Sequence, residues 1–334
     1  MYEHFYGLTG KPFQLSPDAR FFYNSKGHNR AMAYLRYGLR QGEGFIVITG
    51  GIGTGKTMLV NNLFQELDRE NVVAAHLVST QVDEDDVLRM VNSAFGLDHE
   101  GLSKAALLRN LEDFFHTRQA EGKRSLLVVD EAQNLPPRSI EELRMLSNYQ
   151  VGGQALLQSF LLGQAELKQT LQSPEMEQVR QRIIAGYHLR PLDREEMEAY
   201  VEHRLGTVGW QGRPHITSSA FDLMYEATGG IPRRVNTLGD RLLLFGALEE
   251  LEELAADDAR TVIEEVIEEM GPLDAGTPSP RGSPPAPGQG DLAARVAALE
   301  HQVERLQGTL QKERRLLRKA ILLQMEMDDD DELG

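Results

Sequence analysis

The stretch ITGGIGTGKTML, residues 48–59, holds four glycines and one lysine directly after an apolar run. Residues 50–57 match the pattern G-x-x-x-x-G-K-[ST], in which glycines let backbone N–H groups turn toward one anion. GFIVI before it is typical of a buried parallel strand, and MLVNNLFQEL after it has helical spacing. This order predicts a phosphate-binding loop rather than a turn without a ligand. The residues expected at the phosphates are Gly50, Gly51, Ile52, Gly53, Thr54, Gly55, Lys56, Thr57 and Met58.

The segment SLLVVDEAQNL, residues 125–135, places two acidic residues at the end of an apolar run. Beside a nucleotide, Asp130 would join Thr57 in holding Mg²⁺, and Glu131 would orient the attacking water. Lys56 would reach the β- and γ-phosphates. An Asp-Glu pair can also be a plain strand-to-loop turn, but its place after the phosphate loop favours the catalytic interpretation. The two motifs together predict a nucleotide hydrolase.

Composition limits the protein class. The chain has 334 residues, a formal net charge of −16, no cysteine, and nine histidines without metal-ligand spacing. The acidic balance argues against broad, nonspecific binding of nucleic acids or membrane surfaces. The N-terminal residues lack the pattern of a signal peptide, and no apolar run approaches the ~20 residues needed to span a bilayer. We expect a cytoplasmic protein with two or three domains.

Strand and helix patterns alternate after residue 45, which predicts an α/β fold with a five-stranded parallel sheet. After this region the pattern turns helical, opening with Asp193 and Glu196 as the acidic analogue of a capping box. The expected strands are 45–49, 72–78, 126–130, 156–162 and 183–189. The expected domains are an N-terminal segment packed on the nucleotide site (1–44), a P-loop core (45–192), an all-α lid (193–270), a disordered linker (271–290), a coiled-coil helix (291–327) and an acidic tail (328–334).

The last helical pattern of the chain carries an apolar seam. Its members step by 4, 3, 4, 3 and 4 residues, which is coiled-coil spacing, although a lone amphipathic helix can show the same pattern. We expect this helix to dock on a partner or on a second copy of itself. The seam residues are Leu292, Val296, Leu299, Val303, Leu306 and Leu310.

The motifs GGIGTGKT, LLVVDEAQ, QSFLLGQAEL and GGIPRRVN resemble those of the AAA+ ATPases over residues 1–270. The resemblance implies ATP and Mg²⁺ as ligands and a homo-oligomeric ring or filament. It implies that Gln164 senses the γ-phosphate, the alternative being a strand-end cap. It also implies that Arg182, or else Arg180, reaches the neighbouring subunit's nucleotide, and that Arg233 in the lid senses nucleotide. The alternatives are solvated arginines and an ordinary helix-start residue.

The opening segment narrows this resemblance. FYGLTGKPFQLSPDARFFYNSKGHNRAMAYLRYGL, residues 5–39, is similar to ATPases of the general secretion pathway protein A type. The nearer likeness is to secretion ATPases of exosortase (XrtA)/PEP-CTERM and exopolysaccharide loci. It implies that Phe22, Tyr23 and His28 line the adenine pocket, the alternative being packing against the sheet edge. Gly51 stands where glutamate is common in the loop of this group.

Three functions are open at this point. The first is an ATPase that couples its cycle to assembly or regulation of an exopolysaccharide or protein export system, recruited to the inner membrane by a partner that binds the coiled coil. The second is a DNA-associated ATPase resembling transposition accessory proteins, for which PRRVN and KERRLLRK are the basic clusters. The third is a nucleotide-dependent scaffold without hydrolysis, against which Glu131 counts. We carry the first forward.

Overall fold

The structure is a computed structural model that describes residues 2–14, 16, 18–67, 71–78 and 86–270. The expected linker, coiled-coil helix and acidic tail, residues 271–334, lie outside the described residues. Within the described ranges, no helix combines the length and the apolar character needed to cross a lipid bilayer.

Short apolar runs form the strands of the protein. In chain order they are β1 (Phe45–Gly50), β2 (Val72–Val78), β3 (Arg124–Asp130), β4 (Gln150–Val151), β5 (Gln154–Ala155), β6 (Leu157–Gly163), β7 (Ile183–Leu189), β8 (His215–Ile216) and β9 (Glu253–Leu254). Five of them pair in parallel in the order β2-β3-β6-β1-β7, which confirms the predicted five-stranded parallel sheet. The strands β4 and β5 form a separate antiparallel hairpin.

Among the described residues the protein has twelve α-helices, some on the two faces of this sheet and the others in a separate apolar cluster. They are α1 (Tyr2–Tyr6), α2 (Lys26–Gln41), α3 (Lys56–Glu66), α4 (Val87–Ala94), α5 (Lys104–Ala120), α6 (Pro137–Leu146), α7 (Ala165–Gln172), α8 (Glu177–Arg180), α9 (Arg194–Thr207), α10 (Ser218–Thr228), α11 (Pro232–Leu248) and α12 (Ala256–Met270). Successive strand residues point to opposite faces. Ile46 and Ile48 therefore pack with α2 and α3, whereas Phe45 and Val47 pack with the cluster formed by α4 to α8.

Parallel pairing brings the carboxyl ends of β1, β3 and β6 to the same edge of the sheet. Gly50 ends β1, Asp130 ends β3 and Gly163 ends β6. The strand β1 lies between β6 and β7, with Thr49 opposite Gly163 and Gly50 opposite Leu189. Ligands of open α/β sheets bind beyond this edge, so the fold collects the loop and acidic motifs where such a ligand would lie.

The segment after the sheet is mainly helical. Helices α9 to α12 pack around one apolar cluster, and the two-residue strands β8 and β9 pair in parallel beside them. The helix α9 begins with the capping box expected from its sequence. The Asp193 carboxylate accepts from the N–H of Glu196 at 2.8 Å, and the Glu196 carboxylate accepts from the N–H of Asp193 at 3.4 Å.

The first residues of the chain complete the apolar cluster of this helical lid. That cluster contains five N-terminal side chains, Tyr2, Tyr6, Leu8, Phe13 and Phe21. In contrast, α2 packs on the sheet through Ala31, Met32 and Leu35. The first described residues of the chain therefore pack in the lid, whereas α2 packs on the sheet.

Arg204 fixes the N-terminal segment to the lid from inside. Its Nε donates to the carbonyl oxygen of Pro12 at 2.5 Å, and its Nη1 donates to the hydroxyl of Tyr200 at 2.8 Å. The guanidinium lies over the ring of Phe21 at 4.7 Å from the centroid. A buried guanidinium is stable only when its donors are satisfied, so this arrangement ties the two segments together.

Candidate nucleotide-binding site

The predicted phosphate loop connects the end of β1 to the start of α3 at the carboxyl edge of the sheet. Gly53 and Gly55 have φ angles of +78° and +99°, in the left-handed region that glycine adopts without strain. Gly55 directly precedes α3, and no side chain caps the helix at that residue. The first N–H groups of α3 are therefore available to an anion, and the helix dipole adds positive potential there.

Lys56 lies in the first turn of α3 and is only 5% exposed. Its Nζ donates to the carbonyl oxygens of Gly50 at 3.0 Å and Gly51 at 3.1 Å. Burial lowers the pKa of Lys56, and the nearby Glu131 and Asp130 oppose that shift. Because attraction between charges is strong where water is excluded, an anion bound here would gain much from this desolvated cation.

The Thr57 hydroxyl and the Asp130 carboxylate, which the sequence predicts to hold Mg²⁺, are in contact. Thr57 Oγ1 donates to Asp130 Oδ2 at 2.8 Å, and Asp130 Oδ1 accepts from the N–H of Glu131 at 2.9 Å. Among the described residues, no group of three or more His, Cys, Asp or Glu side chains could hold a metal ion. Mg²⁺ is commonly held by one or two carboxylates with waters and phosphate oxygens, so the pair suits it.

Glu131 directly follows β3 and lies beside Gln164, which follows β6. The backbone of Glu131 is left-handed, with φ 54° and ψ 36°. Its Oε2 accepts from Gln164 Nε2 at 3.2 Å and from Gln133 Nε2 at 2.6 Å. The structure therefore brings together the two predicted residues that would act on the water and on the γ-phosphate.

Gln133 is a site residue that sequence reasoning missed. It lies in the short turn Ala132–Asn134 after Glu131, and its Oε1 accepts from the backbone N–H of Gln164 at 3.0 Å. The available signal was an amide two residues after the acidic pair in DEAQ. Spacing alone does not show that this amide meets the end of a different strand.

Arg233 lies beside the phosphate loop through its backbone. Its N–H donates to the carbonyl oxygen of Gly53 at 3.2 Å, at the start of α11. A Cβ on Gly53 would lie only 2.6 Å from the Cβ of Arg233, so glycine is required there by space as well as by φ. The loop and the helical lid are thus in direct contact, and the exposed side chain of Arg233 is close to the site.

The remaining loop residues are less constrained. A Cβ on Gly51 would meet only the Thr54 methyl at 3.6 Å, so the space at this Cα does not require a glycine. Thr54 Oγ1 donates to the Gly51 carbonyl at 2.9 Å and closes the turn. Ile52 is 54% exposed at the tip of the loop, and Met58 continues into α3.

The three residues expected at an adenine pocket separate in the structure. His28 is 6% exposed and lies against the loop, where a Cβ on Gly55 would be 2.6 Å from its Nε2. Phe22 meets His28 edge to face at 5.7 Å. Tyr23 instead packs on the lid, 5.9 Å from the ring of Tyr200. His28 therefore borders the loop with Phe22 packed against it, whereas Tyr23 packs on the lid.

His28 is expected to make the free energy of unfolding fall with pH below its ordinary pKa. Burial lowers the pKa of His28 to about 4, although a hydrogen bond to the Thr54 backbone and the charge of Glu196 oppose the shift. Between pH 6.5 and about 4, the unfolded chain binds a proton that the folded chain does not, so stability is lost as pH falls. The slope from this group reaches at most ~1.4 kcal/mol per pH unit.

Denaturant unfolding of the wild-type chain and the His28→Gln variant between about pH 5 and 7 checks this. The variant should lose less stability across that range. His116→Gln, an exposed change on α5, is the control and should follow the wild type. Identical slopes for the wild-type chain and His28→Gln would contradict the assignment.

Arg180 and Arg182, the two arginines expected to reach a neighbouring subunit's nucleotide, lie at the opposite edge of the sheet from the loop. The Arg182 carbonyl accepts from the N–H of Phe45, at the amino end of β1, whereas Gly50 ends the same strand. Five steps of roughly 3.3 Å put about 16 Å between these ends, too far for Arg182 to reach its own loop. Arg182 Nη2 donates to Asn148 Oδ1 at 2.7 Å. Arg180 Nη1 donates to the carbonyl oxygens of two residues at the end of α7, Leu171 at 2.9 Å and Ser173 at 2.5 Å.

Comparison with protein families agrees with this geometry. The family model described as an AAA domain matches residues 39–171. The chain carries an AAA domain. The matched range includes the loop, Asp130, Glu131 and Gln164.

The AAA domain also lies within a longer match to a curated protein. General secretion pathway protein A of Aeromonas hydrophila is 40% identical over 245 residues, 73% of this chain and 44% of that protein. The chain therefore spans less than half the length of this relative. The match supports the resemblance to that type of ATPase, and the likeness to exosortase and exopolysaccharide loci stays a prediction.

Solved structures share the fold of the AAA domain and lid. Cdc6p of Pyrobaculum aerophilum aligns with a TM-score of 0.62 and 16% identity, over 76% of this chain and 70% of that one. The ORC2 protein of Aeropyrum pernix aligns with a TM-score of 0.55 and 17% identity, over 75% and 72%. These similarities confirm the predicted P-loop AAA+ fold.

Proposed function

We propose that the AAA domain binds ATP with Mg²⁺ and hydrolyses it to ADP and phosphate. The observation that carries the proposal is the 2.8 Å contact between Thr57 and Asp130, beside the loop and one residue from Glu131. Bound Mg²⁺ neutralises charge on the phosphate oxygens. Lys56 and the loop N–H groups hold the phosphates, and Glu131 orients a water for in-line attack on the γ-phosphate.

Gln164 and Arg233 extend the same site. Gln164 lies at the strand end next to Glu131, where its amide can also reach a γ-phosphate oxygen. Arg233 lies in the first turn of α11, where its backbone contacts the loop, so its guanidinium can bind a phosphate there. Both side chains have N–H donors that can bind an anion, and neither carries a negative charge that would repel phosphate.

The site is completed by a second copy of the chain. Arg182 is too far from its own loop, and a neighbour in a ring or filament would bring it to the γ-phosphate. Arg180 is the weaker candidate because its guanidinium already holds the end of α7. The hydrogen bond between Arg182 and Asn148 is exposed to solvent, so breaking it to bind a phosphate costs Arg182 little free energy.

Arg182→Ala is expected to lower ATP turnover by about 10³-fold or more while each chain still binds nucleotide. Mixing it with Lys56→Ala should restore activity, because the Lys56→Ala chain still supplies Arg182 to the intact site of its neighbour. Turnover of the single variants and of the mixture is measured by phosphate release. Asn148→Ala, which breaks the same hydrogen bond, is the control and should stay active. Wild-type turnover by the Arg182→Ala variant would show that Arg182 does not act on the neighbouring subunit's nucleotide.

We further propose that this nucleotide cycle drives the assembly or regulation of a cell-envelope export system. The support is the 40% identity over 245 residues to general secretion pathway protein A. The partner would be membrane-associated and would bind the coiled-coil pattern at 291–327, and the exported material is protein or exopolysaccharide. Replacing the chain in its cells by Glu131→Gln and measuring extracellular protein and surface polysaccharide separately tests this. Unchanged export of both would contradict it.

A further inference from the structure

Gln133 closes a hydrogen-bonded ring around the candidate catalytic carboxylate. Its Nε2 donates to Glu131 Oε2 at 2.6 Å, and its Oε1 accepts from the N–H of Gln164 at 3.0 Å. The Gln164 side chain returns to the same carboxylate oxygen at 3.2 Å. One amide thus joins the end of β3 to the end of β6.

This ring fixes the Glu131 side chain in one orientation. The backbone of Glu131 is left-handed and its N–H is bonded to Asp130, so the residue has little freedom at its base. Both amides donate to Oε2, which leaves Oε1 as the oxygen that would accept from a water molecule. A carboxylate held in this way is oriented before any nucleotide arrives, which is how a positioned group lowers a barrier.

Gly163 leaves the space that Gln133 needs. A Cβ at Gly163 would lie 2.9 Å from Gln133 Oε1 and 2.9 Å from Leu167 Cδ2. Its backbone lies at the end of β6, immediately before Gln164. The close approach of the amide to this strand end therefore depends on a residue without a side chain.

We propose that Gln133 is a positioning residue for hydrolysis, holding Glu131 in its water-orienting place when the Gln164 amide turns to the γ-phosphate. The proposal rests on the proposed ATPase activity. In this arrangement the Gln164 amide can leave Glu131 and donate to a phosphate oxygen instead. The Glu131 carboxylate stays in place, because Gln133 still donates to its Oε2. In this role Gln133 would act through Glu131 and not on the nucleotide itself.

The test compares Gln133→Met, which keeps the length but removes the amide, with the wild-type chain. We expect kcat to fall by roughly 10- to 100-fold, because a displacement of about 1 Å at a catalytic group can cost that much. The Kd for a non-hydrolysable ATP analogue should stay within about twofold, since the loop and Lys56 are untouched. Gln133→Glu, which can accept from Gln164 but cannot donate to Glu131, should lower kcat at least as far.

Gln169→Met on the exposed face of α7 is the matched control and should behave as the wild type. Wild-type kcat in Gln133→Met, with an active wild-type chain, would overturn the role of Gln133 alone. Loss of analogue binding together with kcat would also overturn it, because it would mark a general structural defect. A wild-type chain that releases no phosphate above the Lys56→Ala background would overturn the proposed ATPase activity and this role together.

Discussion

Glu131→Gln is expected to lower ATP turnover by on the order of 10³-fold while leaving nucleotide affinity close to the wild-type value. The side chains have the same shape, so the loop, Lys56 and the Thr57–Asp130 contact stay in place. The amide cannot accept a proton from the attacking water, and it is a poorer acceptor for orienting that water. The variant should therefore hold ATP and accumulate in the assembled state.

Phosphate release, analogue affinity and sedimentation of the ATP-bound chain are the measurements. The control is Glu177→Gln, an exposed change on α8 that should leave all three as in the wild type. Turnover at the wild-type rate in Glu131→Gln would show that this carboxylate does not orient the water. Loss of nucleotide binding would show that its role is structural.

Lys56→Met is expected to weaken nucleotide binding by roughly 10²- to 10³-fold, because a desolvated charged partner of the phosphates is worth a few kcal/mol. Its thermal unfolding midpoint without nucleotide should change little. The variant loses two hydrogen bonds to loop carbonyls but also removes a buried cation whose pKa is lowered by desolvation. Those two effects on the free energy of unfolding oppose each other.

The measurement is the rise in the thermal unfolding midpoint when nucleotide is added. The wild-type chain should show this rise and the Lys56→Met variant should lack it. Lys168→Met, an exposed lysine on α7, is the control and should keep the rise. A wild-type midpoint rise in Lys56→Met would contradict the place of Lys56 at the phosphates.

The sheet and the loop were predictable because their signals are local. Buried strands such as β1 and β6 appear as short apolar runs, and the loop has a fixed order of glycines before Lys56. The acidic pair also stands at the end of an apolar run, where Asp130 closes β3 and Glu131 follows it. Each of these inferences needs only neighbours in sequence, and the parallel sheet then brings the strand ends together.

Contacts between distant segments could not be predicted in this way. Gln133 reaches Gln164 only because β3 and β6 are neighbours in the sheet, and Arg204 holds Pro12 across the lid. The N-terminal aromatics gave no sign of which apolar face they would cover. The sequence favoured Arg182 over Arg180 because Arg182 directly precedes the apolar strand, but only the structure shows that Arg180 is bonded to the end of a helix and Arg182 to an exposed side chain.

The central claim is that the AAA domain hydrolyses ATP at a site completed by a neighbouring copy. The most direct measurement is phosphate release per chain against protein concentration, with and without duplex DNA, for the wild-type chain and a chain ending at residue 270. The account predicts a Mg²⁺-dependent rate that rises with concentration and does not respond to DNA, and a comparison of the two chains shows what residues 271–334 add. A rate no higher than the Lys56→Ala background at every concentration would contradict hydrolysis, and a rate that requires DNA would favour the DNA-associated function instead.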